Sequence, residues 1–361
     1  MFEGRALLLV INGSGSVKEV WMKIIILQIL SILSVMINQF PIQQALSDRI
    51  TEVLSKIASA DILGAIGQGF KNEVLFIDEG STMSGTAEVI IRQADGMCQV
   101  QLSAAFCQFL WIFSGLAISR IDYSALQESC GKAELSVEDL LKDLKLEASQ
   151  FINLPIEDQD QIEHALSLLE FYEARGSYEK LLFSLIGSGK IDMEDFSCIS
   201  FNTRYALKIN SAYIYGIAFV LLHELFHFSL GHLAKEETMQ DEVDADFSAF
   251  WHLYSDLPPD EKFTANCSIL CVLFALLFRN PKLEADGIHP AEPERILTIY
   301  ESIKDDDPMY MVMIVSLFSY WADLFKVEGF PQGLPSNEQS IREIRDFLSS
   351  NKSPSISGFY S

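Results

Sequence analysis

Between residues 211 and 231 the chain reads SAYIYGIAFVLLHELFHFSLG, apolar on nearly every face yet interrupted by two histidines and a glutamate. A segment that is apolar all round predicts a buried helix. A second helix, with apolar and acidic positions repeating every three to four residues, is predicted over 238–254. Helical spacing returns over 260–350, and it also marks 22–66, with a break at Pro41, and 134–187, where Pro155 opens the second half. Short apolar runs at 73–77, 86–92 and 97–103 predict strands, and Asp95-Gly96 between the last two predicts a hairpin. Gly115 to Asp122 fits neither period clearly. The pattern predicts an α+β, mainly helical fold with a small antiparallel sheet near residues 73–103, covered by helices. No internal linker divides it, so residues 22–348 are expected to form a single domain. Residues 1–21 stand apart as an unassigned N-terminal segment, with Met22 as an alternative start, and the Ser-rich stretch 349–361 as a frayed tail.

Composition narrows the function. The net charge is −24 over 361 residues, with no Lys/Arg cluster to interrupt it. Nonspecific nucleic-acid binding depends on neutralising phosphates, so that class is excluded as an expectation. The six cysteines, at 98, 107, 130, 198, 267 and 271, form no CxxC pair, which favours a reducing compartment. Cys267 and Cys271 lie at helical spacing in an apolar run and read as core thiols. Ile24 to Ile37 is apolar and follows Lys23, but it is only 14 residues long. Gln28, Ser31, Ser34 and Asn38 draw a polar stripe along it, as on a buried core helix rather than a span. The expected location is cytoplasmic, with membrane association through residues 24–37 as the alternative.

Chemistry concentrates at His223-Glu224-Leu225-Phe226-His227, an HExxH motif. Residues four apart share a helical face, so both imidazoles can reach one metal ion. Glu224 is turned about 100° from His223, near enough to act on a water without being a ligand. Fifteen residues after His227 comes Glu242-Val243-Asp244-Ala245-Asp246, and Glu242 and Asp246 again share a face. Glu242 is the candidate third zinc ligand, leaving a fourth position open. Asp246 is the candidate acceptor for the second ring N–H of a ligating histidine. Glu236, Glu237, Asp241 and Asp244 read as a solvated acidic face. His232 lies nine residues after His223, the wrong phase for a ligand on an unbroken helix; Gly231-His232 reads as the helix end. His289-Pro290-Ala291-Glu292-Pro293-Glu294-Arg295 reads as a rigid start to a further helix.

HELFH followed by GH, then EVDADF, then HPAEPERI, in this order, resembles the gluzincin metallopeptidases. In motif pattern it is most similar to the CAAX prenyl protease/HtpX-like group, with HExxH, ExxAD and a later HPxxxxR element. The short interval between His227 and Glu242 is more similar to soluble gluzincins, including the ImmA-related and Lit-type phage-exclusion peptidases. The resemblance covers roughly residues 200 to 300. It implies a zincin-like catalytic domain with a sheet flanking the active-site helix. It also implies Zn2+ held by His223, His227 and Glu242, support from Asp246, and His289 near the active site. The expected activity is that of a zinc-dependent endopeptidase on a protein or peptide substrate, with Glu224 as the base and the oxyanion met by zinc, His289 or Arg295. His289 has a second reading, as a ring that occupies the open zinc position and holds the enzyme latent. Two rivals are a non-catalytic zinc-containing regulator and a membrane-anchored protease. The oligomeric state is left open.

Overall fold

Helix dominates the described part of the chain, as the apolar spacing demands. The computed structural model describes residues 74–78, 99–132, 176, 178–183, 203–232, 238–281 and 283–351. Strands β1, Val74–Asp78, and β2, Gln99–Ser103, come first. Helix α1, Ala104–Lys132, follows β2 without a break and takes in the ambiguous stretch Gly115 to Asp122. Next come α2, Thr203–Ser229; α3, Met239–Asp256; and α4, Pro259–Arg279. The chain continues through α5, Glu292–Ile303; α6, Met309–Phe325; and α7, Glu338–Ser350. Residues 178–183 are also helical. The expected helix over 22–66 and most of that over 134–187 lie outside the described residues, as does the apolar stretch 24–37.

The small antiparallel sheet is a correction. Among the described residues the strand content is one pair, and β1 pairs with β2 in parallel, Val74 opposite Gln99 and Asp78 opposite Ser103. The expected strand at 86–92 lies outside the described residues. A hairpin signal such as Asp95-Gly96 reports a local turn, whereas parallel pairing is set by distant segments and needs a connection of roughly a dozen residues or more. The 20 residues between Asp78 and Gln99 supply that length. The mainly helical part of the expectation stands.

Local chemistry sets the helix ends. Thr238 caps α3 in a capping box: its side chain accepts from the Asp241 N–H, and the Asp241 carboxylate accepts from the Thr238 N–H at 3.0 Å. Leu257 before Pro258 is extended, as a residue preceding proline prefers, and so ends α3. Pro259 then opens α4, where its missing N–H costs nothing. Lys326 closes α6 in the left-handed region at φ 52°, and Asn337 caps α7 by accepting from the Ser340 N–H.

The chain divides into two compact units. One comprises Met1–Gln108, Ile214–Ile269 and Gly287–His289; the other comprises Phe109–Tyr213, Leu270–Asp286 and Pro290–Ser361. The second has an aromatic core. The Phe113 and Phe278 rings lie 4.9 Å apart, Phe274 and Phe318 4.9 Å, and Phe330 and Phe347 5.2 Å. Gly115 is required there by space: a Cβ would come within 2.6 Å of the Tyr178 ring. Arg120 lies over the Tyr320 ring, 3.8 Å from its centre, and pairs with Glu179 at 2.6 Å. Among the described residues one segment, Glu261–Arg279 of α4, is long and apolar enough to cross a membrane, and two-thirds of it is buried inside the protein.

Candidate metal centre

The site is built from the C-terminal part of α2, from Ile214 onward, from α3 and from the short segment Gly287–His289, all within the first unit. Along α3 the residues Glu242, Ala245, Asp246, Ala249, Phe250 and Leu253 are all buried. Their spacing is that of one helical stripe. Positions that burial would ordinarily give to hydrocarbon carry two carboxylates at its N-terminal end. On α2, His223 and His227 are also buried, one turn apart near the helix end. Buried ionisable groups persist only with partners, and here the two helices supply each other's.

His223, His227 and Glu242 converge and could hold a metal ion. The two Nε2 atoms lie 3.0 Å apart, and Glu242 places Oε1 3.1 Å from Nε2 of His227 and Oε2 3.5 Å from Nε2 of His223. Zinc bonds of about 2.0–2.1 Å at a tetrahedral angle would space ligand atoms about 3.3 Å apart, so the donor set fits such an ion. Nδ1 of His223 lies 2.9 Å from Oδ1 of Asp246, an ion-pair distance, although the N–H is not aligned for a full hydrogen bond. The contact leaves Nε2 as the ring atom that faces Glu242.

Burial alone would lower the His223 pKa, but contacts with Asp246 and Glu242 reverse this and push it up to about 10. Burial would raise Glu242; the neighbouring His223 and His227 imidazoles instead hold its carboxyl well below the usual carboxylate range. A proton on His223 and a cation among the three ligands therefore compete for the same nitrogen.

Glu224 stands beside this group with Oε1 3.9 Å from Nε2 of His223 and is partly exposed. His289 is at the rim, with Nε2 3.9 Å from Oε1 of Glu242 and its side chain 47% exposed. Arg295 is on α5, half-buried, in the other unit. The structure thus brings together His223, Glu224, His227, Glu242, Asp246 and His289.

Two members of the cluster escaped the sequence reading. His232 does follow the end of α2, as expected, but it joins the cluster: it is buried at 4% exposure, with Nδ1 3.2 Å from Nδ1 of His227. Asp241 is not on the solvated face with Asp244; it is 3% exposed, and its Oδ1 lies 3.3 Å from Nε2 of His232. Gly231, at φ +74°, turns the chain after α2 and returns His232 toward the helix it has just left. A Cβ on Gly231 would meet nothing within 4 Å, so conformation rather than space calls for glycine. The available signal was the Gly-His pair itself: phase arguments for an unbroken helix lapse beyond a left-handed residue.

Neither a curated protein nor a solved structure matches the chain. A family model described as Peptidase U49 matches residues 100–313, which is 214 of 361 residues and runs from within β2 through the histidine and acid helices into α6. By that match the chain belongs to the Peptidase U49 family.

Proposed function

We propose that this peptidase is a zinc-dependent endopeptidase with His223, His227 and Glu242 as the metal ligands and Glu224 as the general base. The observation that carries the reading is the convergence of two imidazole nitrogens and a carboxylate, buried, at mutual spacings that fit a tetrahedral cation. A bound zinc ion would supply a Lewis acid beside the scissile carbonyl and make water more acidic. Glu224 is close to the ligands without being one of the three. It accepts the proton of the attacking water and delivers it to the leaving amine nitrogen. Asp246 holds the His223 ring by its Nδ1 side. His289, the exposed imidazole of the group, stands where a substrate carbonyl could be met and supplies a donor to the developing oxyanion. A non-catalytic zinc site has no use for a carboxylate placed as Glu224 is, which favours the enzyme over the regulator.

The test is Glu224→Gln in the full chain. The variant should keep one zinc per chain by elemental analysis while proteolysis falls by about 10²–10⁴-fold, as for loss of a general base. Cleavage near the wild-type rate by a zinc-loaded Glu224→Gln protein would overturn the mechanism, and a wild-type chain that takes up no divalent metal would overturn the site.

A further inference from the structure

We propose that His232 and Asp241 form a relay that fixes the tautomer and orientation of His227, doing through a second ring what Asp246 does directly for His223. The inference rests on the metal reading of the site. The two ligand histidines are not backed alike. His223 has a carboxylate 2.9 Å from its Nδ1, whereas His227 has an imidazole nitrogen 3.2 Å from its own. Between two imidazole nitrogens only one can carry the hydrogen that joins them.

Asp241 decides which. An ionised carboxylate only accepts, so the His232 nitrogen that faces it, Nε2 at 3.3 Å, is the one that carries hydrogen. A neutral His232 then presents a lone pair at Nδ1. His227 must donate Nδ1–H into it, which leaves the Nε2 lone pair of His227 facing Glu242 and His223 at 3.1 and 3.0 Å. That is the tautomer a metal requires. The His227 and His232 rings meet nearly edge to face at 75°, and both are almost wholly buried, so water does not compete for the link.

Asp241 is itself anchored. Its Oδ2 accepts from the Thr238 N–H at 3.0 Å and from the Thr238 hydroxyl at 2.8 Å, while Oδ1 is turned to His232. One carboxylate therefore starts α3, which carries Glu242, and orients the ligand His227 on α2. The Gly231 turn completes the device by returning His232 to the end of α2. His232 and Asp241 are positioning residues: they act through His227.

Asparagine and glutamine separate this role from packing. His232→Asn keeps an acceptor near the Nδ1 position and loses the group that faces Asp241; His232→Gln does the reverse. Chelator competition with Co2+ and Zn2+, together with the visible absorption of the Co2+ form, reads the effect in the full chain. His232→Asn should bind within about threefold of wild type, and His232→Gln should bind about 10–100-fold more weakly, the usual cost of losing a partner behind a metal-ligating histidine. Equal affinity of His232→Gln and wild type, equal losses in both variants, or a larger loss in His232→Asn would overturn the relay. Nitrogen-15 spectra of zinc-loaded wild type give a check that needs no variant: His232 should be protonated at Nε2 and bare at Nδ1, and the opposite tautomer overturns the assignment. A wild-type chain that binds neither metal would instead overturn the metal reading, and the relay with it.

Discussion

Helix α3 in one unit and helix α6 in the other each hide a continuous stripe, and the stripes are filled differently. On α6 the buried positions include Tyr310, Met313, Ile314, Leu317, Phe318, Trp321 and Phe325. On α3 they begin with Asp241, Glu242 and Asp246, with the small Ala245 among them, and become wholly apolar only from Ala249 onward. Burying a large apolar side chain contributes about 1.5–3 kcal/mol, so the α6 stripe is accounted for by area alone. Burying a carboxylate opposes folding unless partners offset it, so the α3 stripe needs a second explanation. Its partners are the imidazoles of His223 and His227, and they are arranged as a ligand set.

The sharpest way to break the comparison is to damage the apolar region. Phe278 is wholly buried against Phe113, Tyr320 and Phe325. Phe278→Ala should destabilise the second unit by about 3–5 kcal/mol. Hydrogen exchange should speed up in α6 and α7, while the folded molecules bind zinc with unchanged affinity. Loss of zinc binding by molecules that are still folded would show that the separation drawn between the regions is false.

No division between the two regions is legible in the sequence, but part of the candidate site is. Helical spacing alone puts His223 with His227, and Glu242 with Asp246, on shared faces, and Glu224 follows from its place in the HExxH pattern. Along an unbroken helix His232 falls out of phase with His223, and the left-handed Gly231 ends that helix. Asp241 resembled its acidic neighbours in composition; only the fold distinguishes its 3% exposure from the exposed Asp244. The pairing of β1 with β2 was hidden for a related reason. Strand partners separated by 20 residues leave no local mark, whereas a turn signal does.

Metal removal should act on the opposite region. If zinc binds the folded site at a free concentration about a thousandfold above Kd, it stabilises by about 4 kcal/mol. Chelation should then increase exchange at the end of α2 and the start of α3, and leave α6 and α7 as they were. Uniform loss of protection along the chain would mean that the two units do not respond separately to the ion.

His289 comes next in size. If it donates to the oxyanion, His289→Ala should lower kcat by about 10²-fold with KM little changed. A rise in basal activity would instead identify the ring as a plug over the ligands. No change in rate would remove His289 from the chemistry and leave the three ligands untouched.

The smallest expected effect lies where the structural and chemical uses of one residue meet. The Thr238 hydroxyl donates to Oδ2 of Asp241 and accepts from the Asp241 N–H at 3.4 Å. Thr238→Ala removes both contacts but keeps the backbone N–H that also holds Oδ2. The loss should cost about 1 kcal/mol of stability, as for other helix caps. Asp241 would still face His232 through Oδ1, so zinc affinity should fall by much less than in His232→Gln. A Thr238→Ala protein that keeps its stability but loses zinc as readily as His232→Gln would show that the hydroxyl sets the carboxylate's aim rather than the helix start. The line between the scaffold of α3 and the machinery of the site would then move one residue outward, to the cap itself.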